Sequence, residues 1–222
     1  MNNNRLEVPE TELGDHLHTT VKVALGAVPY IGGALAEVFS SVIESPFQKR
    51  KHEWMKRVVE AIHDLQESGI QIDTLKDNEA FISAVFYASH LAMKTHQDEK
   101  LNALKNAIEN VALNVEKDEV YQQVFLNYVD TLTVLHMRLL RFAKNPNPPS
   151  NMMMGSLESI FDKQNTDLNY NREFINQAWK ELYNNGLIDI ESMNMHSSSG
   201  GLRESRLTDL GKRFTKFITK AE

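Results

Sequence analysis

KDEVYQQVFLNYVDTLTVLHMRLLRF, residues Lys117 to Phe142, carries apolar side chains at Val120/Tyr121, Val124/Phe125, Tyr128/Val129, Leu132, Leu135 and Leu139/Leu140. Steps of three and four residues put these side chains on one wide face of an α-helix. Acids at Glu116, Asp118 and Glu119 stand at its start, where they complement the positive end of the helix dipole. The spacing therefore predicts one continuous amphipathic rod over 117–142. The chain before it keeps a helical period, and the chain after it changes to a strand period.

The bulk numbers narrow the field. A chain of 222 residues, 41% hydrophobic and 24% charged, is a folded protein of one compact domain or two small ones sharing a core. Its formal charge of −6 argues against sequence-independent phosphate binding over the whole surface. With no cysteine, disulfides, thiolate catalysis and Cys-ligated zinc are excluded. The start, Met1-Asn2-Asn3-Asn4-Arg5, lacks the basic-then-apolar order of a signal peptide, so the expected location is the cytoplasm.

Ahead of the rod, Leu13, Leu17, Val21 and Leu25 predict a helix over 11–25, broken by Gly26 and Pro29. Residues 23–36, VALGAVPYIGGALA, hold no charge. A membrane-spanning helix needs about 20 such residues, and this run is shorter. Its breakers predict a buried helix–turn–helix hairpin with Val28, Pro29, Tyr30, Ile31, Gly32 and Gly33 at the turn. Those six residues are the candidate membrane or partner contact. Pro46 suits the first turn of a further helix, ending at Gly69. Its cluster Lys49, Arg50, Lys51, Lys56 and Arg57 would meet anionic headgroups, or form a solvated face balanced by Glu44, Glu53 and Glu60. Asp77-Asn78-Glu79 caps the next helix, whose stretch FISAVFYASHLAM is apolar nearly all round and so should be central. Another helix runs from Asp98 to Leu113. The apolar run broken by Gly and Pro, followed by Trp54 and a long helix, resembles the helical domain of pore-forming insecticidal toxins.

Beyond the rod, Asn145-Pro146-Asn147-Pro148-Pro149-Ser150 is a linker. Ser156 caps a short helix, and Asn169 or Asn171 caps another that ends at Asn184-Asn185-Gly186. Leu187–Ile190 then reads as a strand, His196–Gly201 as a hairpin tip and Leu202–Leu207 as the returning strand, before a last helix capped by Thr208. The phrases ELYNNGLI (181–188) and RLTDLGKRFTKFI (206–218) are similar to the wing-flanking segments of bacterial winged-helix domains. The resemblance implies a mainly α protein: an N-terminal helical bundle over 1–130 and a winged-helix (α+β) module over 131–222, sharing the long helix. KLNALKNAIENVAL (100–113) and FLNYVDTLTVLHMRLLRF (125–142) sit where bacterial families of abortive-infection type have their central helices. That likeness implies a setting in phage defence or stress response and carries no catalytic residues.

Two kinds of site follow. In a winged helix, residues 171–185 would be the recognition helix, offering Arg172, Asn176, Gln177 and Lys180, with Arg203 and Arg206 from the wing. Asn, Gln and Arg pair with base edges, but Glu173 and Glu181 offset the two cations of that helix, and phosphate contacts supply most of the affinity for DNA. Arg57 and His63 loosely match the Arg–His motif of HEPN-type ribonucleases, although Val58 stands where a polar residue is usual. His16 with His18, and His90 with His96, lack same-face spacing for a metal, and His136 reads as a satisfied boundary histidine. No phosphate-binding loop and no Gly-x-Ser-x-Gly is present. No cofactor, metal or small-molecule substrate is called for. The expected function is that of a non-enzymatic interaction protein, with a protein partner or a second copy bound through the 23–43 hairpin or the wing. The alternatives are a winged-helix transcription regulator that binds DNA and a conditional membrane-active effector.

Overall fold

The computed structural model describes residues 33–221, with side chains from residue 46 onward. The predicted helix over 11–25 and the turn residues Val28, Pro29, Tyr30, Ile31 and Gly32 lie outside the described residues, and Gly33 is the first residue of a helix. The protein is mainly α. Ten helices and one two-stranded sheet follow in order among the described residues: α1 (Gly33–Glu67), α2 (Ile72–Leu75), α3 (Glu79–Lys94), α4 (Asp98–Ala112), α5 (Glu119–Thr131), α6 (Val134–Lys144), β1 (Met154–Ser156), α7 (Leu157–Gln164), α8 (Arg172–Asn184), β2 (His196–Ser198), α9 (Ser199–Arg203) and α10 (Asp209–Phe217).

Pro46 does not open a helix. It lies inside the 35 residues of α1. Proline removes one N–H and costs a helix about 3 kcal/mol, and the long helical stretches on either side carry that cost. Trp54 of α1 is buried, and its indole N–H donates to Ser89 Oγ at 2.8 Å. The centre of the front half is α4, not α3. Nine residues of α4 are buried, whereas α3 buries only Ala84, Ala88, Leu91 and Ala92 and leaves Phe86 72% exposed. The three alanines let α3 lie close to its neighbours.

The predicted rod is broken. α5 stops at Thr131, Leu132 and Thr133 are extended, and α6 starts at Val134. Thr133 and His136 cap the break. His136 Nδ1 accepts from the Thr133 backbone N–H at 3.1 Å and faces Thr133 Oγ1 at 2.8 Å, so the second helix caps its own start. Leu132 and Leu135 are buried on either side, and for that reason the apolar spacing reads straight across the interruption.

The predicted 187–207 hairpin is also absent in that form. β2 falls on the expected hairpin tip and pairs antiparallel with β1, Met154 opposite Ser198, Gly155 opposite Ser197 and Ser156 opposite His196. Between the two expected strands there is a single bridge, Ile188 to Leu207, and part of the expected return strand coils into α9. The strand signal of β1 was hidden because a three-residue strand next to a proline-rich linker has no period to read.

α8 ends as read. Leu187 N–H bonds Leu182 O at 3.0 Å and Gly186 N–H bonds Tyr183 O at 2.8 Å, with Gly186 at φ +69°. This is the closing motif that favours glycine. Gly211 in α10 meets a different demand: a Cβ there would run into the Leu187 carbonyl, so α10 can approach this turn only with no side chain at that position.

The last helix unites the molecule. Phe214 and Phe217 of α10 pack on Phe125 of α5, with ring centroids 5.5 and 5.4 Å apart, and Phe214 meets Tyr128 edge-on. From α4, Asn106 Nδ2 donates to Ile218 O at 2.9 Å. Asn110 Nδ2, fully buried, donates to Phe217 O and Thr219 O, each at 2.8 Å. Two asparagines one helical turn apart thus satisfy carbonyls left open at the end of α10. One hydrophobic core runs from Trp54 to Phe217, and residues on both sides of position 130 belong to it. The two segments share that core through α10 rather than through a continuous rod.

Candidate interaction surface

α8 is set by its own cap and by its buried face. Asn171 Oδ1 accepts from Phe174 N–H at 2.8 Å. Ile175, Ala178, Trp179 and Leu182 face the core, and the Trp179 indole donates to Ile190 O at 2.9 Å. Phe142 of α6 meets both Phe161 and Trp179 edge-on, which holds α7 and α8 against α6.

The four candidate nucleic-acid residues of α8 all stand on its exposed side, and three of them are already engaged. Arg172 bonds both carboxylate oxygens of Asp162, at 2.8 and 2.5 Å, and its Nε lies 3.3 Å from Glu158. Lys180 pairs with Glu191 at 3.2 Å, and Gln177 donates to Glu181 at 3.0 Å. Asn176 has no such bond among the described residues. Among the described residues no bond joins Arg203 or Arg206 to this face. Arg203 reaches Pro149 O at 3.5 Å, while Arg206 is largely buried, bonds Gly201 O and pairs loosely with Glu204 at 3.8 Å.

The module also leaves large apolar side chains exposed. Tyr170 and Phe174 lie against each other at 5.5 Å and are both exposed, as is Tyr183 further along α8. At the β1–β2 ribbon Met153, Met154 and Met195 are exposed, Met153 by 82%. Methionine is flexible and polarisable, and it is over-used on surfaces that adapt to protein partners.

Beneath α8 lies a contact the sequence reading left out. His136 Nε2 sits 3.0 Å from Glu181 Oε2. Since Nδ1 accepts from Thr133 N–H, Nε2 carries the proton and donates. Burial holds the His136 pKa below its ordinary 6.5, although Glu181 pulls the other way. The expected satisfied histidine is thus a link between the α5–α6 break and α8. Its partner lies 45 residues away and left no local signal.

The remaining charged candidates lie on the front half. Arg57 crosses to α4, bonding Asn102 and pairing with Asp98 at 2.5 Å, while His63 is half-buried further along α1. Lys105 gathers Asp64 at 2.9 Å, Glu109 at 3.5 Å and Glu60 at 3.7 Å. Burial raises the Glu109 pKa, and the hydrogen bond from Lys105 lowers that of Asp64. Among the described residues no group of three or more His, Asp or Glu could hold a metal ion, and no helix is long and apolar enough to cross a membrane.

No family model, curated protein or solved structure matches this chain.

Proposed function

We propose that this chain is a non-enzymatic interaction protein whose C-terminal module, winged-helix-like in its order of elements, contacts a protein partner. The order supports the module: helix, short strand, two helices, then a strand returning to the first, with α10 closing the core. One observation carries the choice of partner. The two cations of the would-be recognition helix, Arg172 and Lys180, are paired with carboxylates of the same module, while aromatic and methionine side chains of that module stand exposed. Phosphate neutralisation supplies most of the affinity for DNA, and Arg172 and Lys180 would have to exchange their carboxylate partners for phosphate. Buried aromatic anchors supply most of the affinity for proteins. The likeness to abortive-infection families supports phage defence or stress response as the setting.

The test combines two measurements. A photo-reactive amino acid at Phe174 or Met154 should capture the same protein in cells, and Tyr183→Ala should weaken that partner's binding by roughly tenfold. Fluorescence anisotropy with duplex DNA at low salt should show no binding. Tight, steeply salt-dependent DNA binding that Arg203→Glu with Arg206→Glu abolishes would overturn the reading in favour of a transcription regulator.

A further inference from the structure

The exposed residues of α3 are Glu79, Ser83, Phe86, Tyr87, His90 and Lys94. At 100° per residue they fall on one stripe of the helix, about a quarter of a turn wide. The stripe has an acid at its N-terminal end, a base at its C-terminal end and two aromatics at its midpoint. Its spacing is the same in both directions, and its end charges are opposite. Laid antiparallel against a copy of itself, Glu79 meets Lys94, Ser83 meets His90 and Phe86 meets Tyr87. We infer that α3 is a two-fold self-association surface, with Phe86 and Tyr87 of both copies on the axis.

Charge complementarity selects the second copy as occupant. The ends of the stripe attract only when two such helices run antiparallel, which also opposes their dipoles. A two-fold interface must be self-complementary in this way. The middle of the stripe carries no carboxylate, lysine or arginine, and Phe86 at its centre is 72% exposed. Ser83 is small enough to let the axes close to the usual helix–helix distance. The flank on α5 continues the pattern, since Val120, Gln123 and Asn127 are exposed and uncharged. Tyr87 is held in place by a hydrogen bond from its hydroxyl to Asn127 Oδ1. Lys94 already pairs with Asp130 at 2.6 Å but keeps half of its side chain exposed. An ammonium has three donors, so it can serve Asp130 and the Glu79 of the other copy together.

The test uses the full chain. Sedimentation equilibrium should return twice the 25.4 kDa of one chain. Phe86→Asp, at a solvent-facing position, should leave the helical circular dichroism unchanged and weaken self-association by roughly tenfold or more. Glu79→Lys and Lys94→Glu should each weaken it, and the two together should restore it, because the reversed charges meet again across the axis. The chain has no cysteine, so Ser83→Cys with His90→Cys offers a register test on an otherwise unchanged face. Mild oxidation should cross-link that double variant into dimers and leave each single variant monomeric under denaturing conditions, since like positions lie roughly 10 Å apart along the axis. A mass of one chain for the wild type, a dimer indifferent to Phe86→Asp, or equal cross-linking by the single variants would overturn the assignment. None of these outcomes depends on the module carrying α8.

Discussion

Glu109 stands on α4 almost wholly buried, with Oε1 free of hydrogen bonds and the Lys105 ammonium 3.5 Å away. Burial favours its protonated form, so its pKa is raised above the ordinary 4.5. A carboxyl raised on folding contributes stability below its unfolded pKa, and that contribution is lost as pH rises through the folded value. Asp64 has the opposite sign. Lys105 lowers its pKa, so its contribution is present above 3.8 and lost as the solution is acidified through the lower folded value. Glu109→Gln removes the charge and leaves the Asp64–Lys105 pair. The variant should be about 1 kcal/mol more stable than wild type near pH 8, with the gain fading towards acid, as read by urea denaturation across pH. A gain independent of pH would show that the carboxylate charge is not what burial resists. The i, i+4 spacing of Lys105 and Glu109 is visible in the sequence. The arrival of Asp64 from α1 is not, because it depends on how two distant helices pack.

The pair α5 and α6 shows what apolar periodicity can and cannot read. It placed most of the inward residues, since Phe125, Val129, Leu132, Leu135, Leu139 and Leu140 are buried, but Val120 at its start is 68% exposed and Tyr121, Val124 and Tyr128 are only partly covered. It did not register the break, because an extended residue such as Leu132 can keep its side chain in the core while the helix axis changes. The cue lay in Thr133 and His136, a cap and a residue three positions on that bonds back to it. His136→Ala should lower stability by about 1 to 2 kcal/mol, from the lost bond to the Thr133 N–H and the lost hydrogen bond to Glu181. Burial lowers the His136 pKa, so its contribution is present above 6.5 and lost as pH falls through the lower folded value. Denaturation of the variant should therefore depend less on pH between about 7 and 5 than that of the wild type. The strands were legible in part. The capping Ser156 and Thr208 and the closing Gly186 announced helix ends, and the structure keeps all three roles. The pairing of β1 with β2 joins segments some forty residues apart through serine and glycine, which carry little strand signal.

At the level of the molecule, α10 closes a core begun by α1. The sequence announced α10 by its cap and its Phe214–Phe217 spacing, but gave no hint that α4 receives its end. Asn106 and Asn110 read as ordinary polar positions on an amphipathic helix, and only their i, i+4 spacing hinted at a shared task. Asn110→Ala leaves carbonyls of Phe217 and Thr219 without that donor and should cost roughly 2 to 3 kcal/mol. Because one core spans both segments, the variant should still unfold in one step at a lower temperature, with equal calorimetric and van 't Hoff enthalpies. Two resolved calorimetric transitions would mean that the segments divide.

The docking of α10 also orders events during synthesis. A ribosome that has translated α4 and α5 but not yet Phe214 carries a nascent bundle whose Phe125 ring still lacks its lid and whose Asn110 amide still faces water. Native packing of the early helices therefore waits for the late one, and a stalled or prematurely terminated product would present that uncovered seam to chaperones and proteases.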